Sequence, residues 1–223
     1  PTAAYEVFDD PAAAIEHVRA LGVPRVVKAD GLAGGKGVVV AETVEETVAA
    51  LRSLMVDRRH GAAGARVVVE ERLRGPEVSY HAVTDGTRYV PLAAAQDHKR
   101  LGDGDVGPNT GGMGAYSPPP MVTADVEDAI RRDVVEPTLA GMAAAGTPLR
   151  GALFVGLMLV DGAPKVLEYN VRFGDPETEV LVARWDGDLL PLLCGAAEGD
   201  LGDLAPRWRA PAAVGVVMAS EGY

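Results

Sequence analysis

The sequence predicts a mixed α/β protein built as two successive lobes. Helical stripes alternate with short β-branched runs over residues 1–95, and a glycine- and proline-rich stretch, Gly102 to Pro120, then breaks all periodicity. Beyond it the α/β alternation resumes, and a length of 223 residues at 48% hydrophobic content suffices for one large domain or two smaller ones. The expected division is 1–95, 96–210 and a connecting strand or further domain at 211–223.

In the first lobe, Ile15, Val18 and Leu21 lie at helical spacing in a helix from Pro11 to Leu21, opened by Asp9 or Asp10 and stopped by Gly22. Arg25–Ala29 and Val38–Ala41 read as strands around the glycine-rich loop Asp30–Gly37. Thr43 with Glu46 forms a capping box for a helix whose buried stripe is Val44, Val48, Leu51 and Met55. Residues 57–65 read as a loop before the strand Val67–Glu70, and Asp85-Gly86 turns a hairpin between Glu77–Thr84 and Arg88–Ala94.

In the second lobe, Thr123 opens a helix to about Ala145, with Val126, Ile130, Val134, Val135, Leu139 and Met142 as its apolar face and a kink expected at Pro137. Ala152–Val160 and Lys165–Tyr169 pair around Asp161-Gly162. Helices from Pro176 into Ala183 and through Pro191 toward Ala197 precede a last strand, Ala213–Met218. Gly102–Pro120 is too long for an ordinary connection, so it is either disordered or a ligand-binding segment; the backbone donors of Asn109–Ala115 favour binding.

A formal charge of -11 disfavours nucleic acid and suits a small-molecule ligand. The single cysteine, Cys194, falls in an apolar run and is expected to be buried and structural. No run approaches the roughly 20 apolar residues of a membrane span, and a cytoplasmic location is the default.

Several clusters carry chemistry. Lys28-Ala-Asp-Gly-Leu-Ala-Gly-Gly-Lys-Gly37 fails the P-loop rule, because Gly37 follows Lys36 where a magnesium-binding hydroxyl should stand. Its backbone amides, Lys36 and Lys28 still suit phosphates, although a solvated hairpin has the same composition. Lysine occurs only at 28, 36, 99 and 165, so two around one loop count for more than surface charge. Val69, Glu70, Leu73 and Glu77 suit an adenine and a ribose, or are plain charged strand ends. Glu168 and Asn170, two apart on a strand, converge as oxygen ligands for a hard cation, with Arg172 and Asp175 extending the cluster; a polar strand end without metal is the alternative. In Gln96-Asp-His-Lys-Arg100, Asp97 suits an amine or hydroxyl and Lys99 a phosphate or carboxylate. Zinc ligand spacing and a nucleophile elbow are both missing.

These blocks, with Pro108-Asn-Thr-Gly-Gly-Met-Gly-Ala-Tyr-Ser-Pro118 and Leu167-Glu-Tyr-Asn-Val-Arg-Phe-Gly-Asp-Pro-Glu-Thr178, closely resemble the phosphoribosylamine-glycine ligase (glycinamide ribonucleotide synthetase) family of the ATP-grasp superfamily. The resemblance runs in consistent order through nearly the whole chain. It implies an ATP-grasp fold with two lobes enclosing ATP. It also implies ligation of glycine to 5-phospho-β-D-ribosylamine through a glycyl phosphate, giving glycinamide ribonucleotide, ADP and phosphate in purine biosynthesis.

By the same likeness, Lys28, Gly31, Gly34, Gly35, Lys36 and Gly37 hold phosphates, Val69 to Leu73 with Glu70 and Glu71 the adenine, and Glu77 the ribose. Glu168 and Asn170 take magnesium or manganese. Asp97, Lys99, Asn109, Thr110, Gly111, Gly112, Met113, Arg172 and Asp175 face the substrates, and Lys28, Arg172 and Asp175 serve catalysis. Complete members of the family continue beyond both ends of this sequence, so flanking domains of the same polypeptide, monomeric at full length, are expected partners. Another ATP-grasp carboxylate–amine ligase and a truncated, nonenzymatic ATP-binding module are the rival readings.

Overall fold

The computed structural model describes residues 1–34, 36–104 and 106–220. They divide into two compact units, Thr2–Arg74 and the chain from Gly75 onward together with Pro1. Among the described residues no helix is long and apolar enough to cross a membrane.

The first unit comprises β1 (Tyr5–Phe8), α1 (Pro11–Leu21), β2 (Arg25–Ala29), β3 (Val38–Val40), α2 (Val44–Leu51) and β4 (Val67–Glu71). Its antiparallel sheet has the order β1-β4-β2-β3. Helix α1 starts where the Asp10 side chain accepts from the Ala12 amide and ends at Gly22 in the left-handed region. Helix α2 forms half of the expected capping box: Thr43 accepts from the Glu46 amide, whereas Glu46 accepts from the amide of Glu42, one residue before the cap. Ala14 and Val18 of α1 and Val48, Ala50 and Leu51 of α2 pack on Val27, Val67 and Val69, forming this unit's core. Strand β1 is an addition to the sequence reading. Its four residues precede the first helical stripe and gain their place by pairing with β4, far away in sequence.

The second unit starts with β5 (Glu77–Thr84) and β6 (Tyr89–Pro91), the hairpin expected around Asp85-Gly86. Next come β7 (Gln96–Asp97), β8 (Arg100–Gly102), β9 (Val106–Asn109) and β10 (Gly114–Ser117), then α3 (Ala124–Ile130) and α4 (Glu136–Ala144). The chain closes with β11 (Gly151–Val160), β12 (Ala163–Asn170), α5 (Glu177–Arg184), α6 (Leu190–Glu198) and β13 (Ala213–Val216). Its main sheet has the order β12-β11-β5-β6, so β5 and β6, expected to close the first lobe, join strands from far along the chain. The stretch Gly102–Pro120 is more regular than its composition suggests, because β8 pairs with β9 and β10 lies between β7 and β13. Local pairing of β8 with β9 and distant pairing of β10 with β13 satisfy a backbone whose side chains show no period.

Between α3 and α4 a π-turn, Arg131–Val135, leads directly into Pro137. Proline has no amide hydrogen to donate, and widening the preceding turn accommodates it without ending the helix. Cys194 is exposed, contrary to expectation. Leu192, Gly195 and Ala196 make the buried face of α6, and position 194 falls on the other side.

Candidate functional site

In the first unit, cross-strand register decides which side chains share a face. Val26 stands opposite Val40 and Glu70, and Lys28 opposite Val38 and Val68. Strand alternation therefore puts Lys28 and Glu70 on one face with Val26, Val38, Val40 and Val68, while Val27, Val67 and Val69 turn to the helices. Lys28 Nζ lies 2.7 Å from Glu70 Oε2, with both side chains largely covered. An ammonium and a carboxylate set among valines give this face an apolar platform with a charged centre, suited to a flat heterocycle bearing a charged tail.

The glycine loop is folded for close approach. The Ala29 amide donates to Gly37 O at 2.8 Å, and a Cβ on Gly37 would come within 2.7 Å of the Ala33 Cβ. The Gly31 amide donates to Ala63 O at 3.1 Å, and Gly34 turns the chain at φ 59. The Lys36 side chain is exposed. Gly35 lies outside the described residues. Two expectations change here. Val69 is 3% exposed, with its side chain in the core, and Glu71 shares its side of the strand and accepts from the Ala4 amide at 3.4 Å. These two residues offer a ligand on the Lys28 face their backbone only. Sequence spacing named this strand as a whole, and its pleat turns alternate residues away from the Lys28 face. Leu73 is partly buried and lies beyond the end of β4.

In the second unit the central sheet has one apolar and one polar face. Val78, Tyr80 and Ala82 of β5 and Leu153, Val155 and Leu157 of β11 enter a core with Ile130, Val134 and Val135. The alternate residues Glu77, Ser79 and His81 share the opposite face. Register aligns Ser79 with Gly156 and Gly156 with Glu168, and aligns His81 with Phe154 and Phe154 with Asn170. Glu168 and Asn170 thus point to the same side, as their spacing requires. An irregularity between Gly156 and Leu157 leaves Leu167 as the extra residue of β12. A Cβ on Gly156 would lie 3.1 Å from Glu168 Cγ, so the glycine makes room for the carboxylate.

A pocket on this face is lined by Glu77, Ser79, Asp97, Lys99, Gly156 and Glu168, among others. Lys99 Nζ stands 3.8 Å from both Glu77 Oε2 and Glu168 Oε1. The segment Asn109–Met113 is tied to the link from β7 into β8: Asn109 registers with Arg100, the Thr110 amide donates to Lys99 O at 2.7 Å, and the Met113 amide donates to His98 O at 2.8 Å. The Gly112 amide donates to Thr110 Oγ1 at 3.1 Å. Gly112, at φ 131, packs so tightly that a Cβ would lie 2.8 Å from Asp97 Oδ1 and 3.2 Å from Asp175 O. Asp97, Lys99, Asn109, Thr110, Gly112, Met113 and Asp175 are therefore one neighbourhood. Gly111 is an exposed link within it, and exposed Arg172 donates to Phe173 O at 2.8 Å.

Burial first, then the Glu177 carboxylate, pushes the Asp97 carboxyl up to about 7, with Glu77 adding to the rise and Lys99 opposing it. His81, fully buried, stacks on Phe154 at 4.5 Å and accepts from the Gly174 amide through Nε2 at 3.1 Å. Burial, aided by the Arg172 charge, holds its imidazole down to about 4, so it is neutral and its remaining proton sits on Nδ1. Buried Ser79 donates to buried Glu177 at 2.6 Å. Sequence reading assigned no role to Ser79, His81, Gly156 or Glu177. The alternation Glu77-Val-Ser-Tyr-His-Ala82 is the local signal that marks the polar face, but the partners of that face come from later strands.

Among the described residues no three or more His, Cys, Asp or Glu side chains gather as a metal cluster. A magnesium ion needs less from a protein, because it keeps water and phosphate oxygens and takes one or two protein oxygens. Glu168, half exposed above the space at Gly156, and Asn170 on the same face fit that demand.

Known proteins match this arrangement. The family model for the phosphoribosylglycinamide synthetase ATP-grasp (A) domain matches residues 1–178. A phosphoribosylamine–glycine ligase of Xylella fastidiosa is 53% identical over 224 residues, covering 100% of this chain and 52% of that protein. One of Mesorhizobium japonicum is 54% identical over 223 residues, covering 100% and 52%. The crystal structure of phosphoribosylamine–glycine ligase from Thermotoga maritima superposes with a TM-score of 0.89 at 40% identity, covering 100% of this chain and 56% of that one. The chain thus spans about half the length of the curated relatives it matches. A two-lobed ATP-grasp architecture, a family model over most of the sequence and this identity agree: the chain belongs to the phosphoribosylglycinamide synthetase ATP-grasp domain family.

Proposed function

We propose that this chain is the ATP-binding core of a ligase that joins glycine to 5-phospho-β-D-ribosylamine, with glycinamide ribonucleotide, ADP and phosphate as products. The observation that carries the reading is the position of Lys99, 3.8 Å from both Glu77 and Glu168, which ties the residue read as ribose-binding to the one read as metal-binding. In this reading the valine face around Lys28 and Glu70 takes ATP, and the amides of the glycine loop take its phosphates. Glu77 accepts ribose hydroxyls, and Glu168 and Asn170 hold magnesium or manganese, which when bound offsets phosphate charge. Asp97, Lys99, Asn109–Met113, Arg172 and Asp175 hold glycine and the ribosylamine. The units Thr2–Arg74 and Gly75 onward correspond to the two ATP-grasp lobes; the flanking domains of the longer polypeptide complete the enzyme, a cytoplasmic monomer that needs no nucleic-acid or membrane partner.

The chemistry follows from carboxylate reactivity. A carboxylate has no adequate leaving group. Attack of a glycine oxygen on the γ-phosphorus of ATP releases ADP and supplies one as phosphate. The ribosylamine nitrogen then attacks the glycyl carbonyl carbon and phosphate departs. Lys28 and Arg172 offset charge that grows on the phosphoryl oxygens, and no enzyme nucleophile is required. ADP release by the full-length polypeptide, measured with glycine and phosphoribosylamine supplied together and singly, tests this. Turnover that needs both substrates supports the reading. Turnover that ignores them and requires another acid or amine overturns it.

A further inference from the structure

Behind the pocket lies a carboxylate that the mechanism above does not use. Glu177 is 1% exposed, and among the described residues it has no cationic partner. Its Oε1 accepts from Ser79 Oγ at 2.6 Å, and its Oε2 lies against Gly174, where a Cβ would come within 2.4 Å. The side chain is thus wedged between β5 and the turn that carries Asp175. Asp97 lines the same pocket as Ser79, its Oδ1 is buried without a hydrogen-bond partner, and it shares the space at Gly112 with Pro176, the residue before Glu177.

We propose that Asp97 and Glu177 work as a carboxyl pair: Asp97 takes the proton that the attacking amine must lose, and Glu177, as a positioning residue, keeps Asp97 able to take it. The proposal rests on the ligase reading of this site. As the nitrogen–carbon bond forms, the carbon–oxygen bond to phosphate breaks and its electron pair leaves with the phosphate. One N–H proton remains to be removed, and the Asp97 carboxylate accepts it. The charged groups around Asp97 are Glu77 on β5, Glu168 on β12, Lys99 on its own segment, Asp175 beyond Gly112, and Glu177 on α5. An acceptor that titrates near 7 is available at neutral pH yet basic enough to hold the proton. Glu177 is the strongest of the neighbouring charges that keep it there.

The test uses the full-length polypeptide and Glu177→Gln, which preserves volume and an oxygen for Ser79 but removes the charge. The acid limb of the kcat–pH profile should move down by about one pH unit, because a like charge beside Asp97 is gone. The Asp97 carboxyl signal in a carbon-13 titration, identified by its loss in Asp97→Asn, should move by the same amount. A folded Glu177→Gln protein with an unmoved limb overturns the pair. Should Glu177→Gln fail to fold, Ser79→Ala decides: it keeps the carboxylate but removes its donor, so the Asp97 titration should stay at or above the native value, and a fall overturns the pair. Loss of the ligase reading is separable, because it is the native polypeptide that then fails to use glycine and phosphoribosylamine.

Discussion

Gly156 and Glu168 face each other across the β11–β12 pair, and the Glu168 side chain occupies space that a Cβ on Gly156 would enter at 3.1 Å. Gly156→Ala should therefore shift a half-exposed, flexible side chain and leave the sheet intact, costing about 1 kcal/mol or less in stability. Under the proposed metal role, the magnesium concentration for half-maximal turnover in the full-length polypeptide should rise several-fold. Unchanged magnesium dependence would remove Glu168 from the ligand set.

Lys28→Met should leave the largely covered Glu70 carboxylate without the ammonium that stands 2.7 Å from it. The expected stability loss, measured by thermal or urea unfolding, is about 1–3 kcal/mol. The proposed ATP affinity, measured by calorimetry, should fall by at least about tenfold. Double replacement, Lys28→Met with Glu70→Gln, should recover much of the stability and none of the affinity.

Gly112→Ala faces two obstacles: a backbone at φ 131 and Pro176 Cδ within 2.3 Å of the new Cβ. We expect a loss of about 2–4 kcal/mol in unfolding free energy. The same change should displace Asp97 and Asp175, so residual protein should bind the proposed substrates poorly. A variant of native stability would show that the segment repacks freely.

Buried His81 and partly buried Asp97 should bend the pH dependence of stability in opposite directions. His81 titrates near 4 in the fold against 6.5 when free, so the unfolded chain binds a proton that the native state refuses. Its contribution is lost as pH falls from about 6.5 to about 4, by about 2–3 kcal/mol. Asp97 titrates near 7 against 3.8 when free, so the native state holds a proton that the unfolded chain releases. Stability from this group falls as pH rises between about 4 and 7, by on the order of 1 kcal/mol once its partial solvation is allowed for. Unfolding curves for His81→Gln and Asp97→Asn over this range should each lose one of these slopes. A native profile reproduced by both variants would assign the slopes to other groups.

Local signals disclosed most of the helices and hairpins, because capping boxes, the Asp-Gly turns and periodic stripes act over a few residues. Strand spacing also set Glu168 and Asn170 on one face, whereas the pairing of Lys28 with Glu70 emerges only from the register of β2 against β4. Val69 and Glu71 show the limit: both were read as adenine-binding, and only the register of β4 against β2 reveals that their side chains turn away from the Lys28 face and leave it their backbone alone. Ser79 and Glu177, 98 residues apart, meet only once β5 is set in its sheet and α5 packs over it. No motif spans such a distance. Strand β1 escaped for a similar reason, since its partner is β4.

The order of the strands also has a consequence during synthesis. The sheet of the first unit is complete once β4 has emerged, but β5 must wait for β11 before its inner edge is paired. At about 5–20 residues per second, that wait lasts several seconds. For that time Val78, Tyr80 and Ala82 are without the helices that later cover them, and the hairpin with β6 is their nearest shelter. Substitutions that slow the closure of the second unit should therefore first appear as lost soluble yield rather than as altered kinetics in the molecules that do mature.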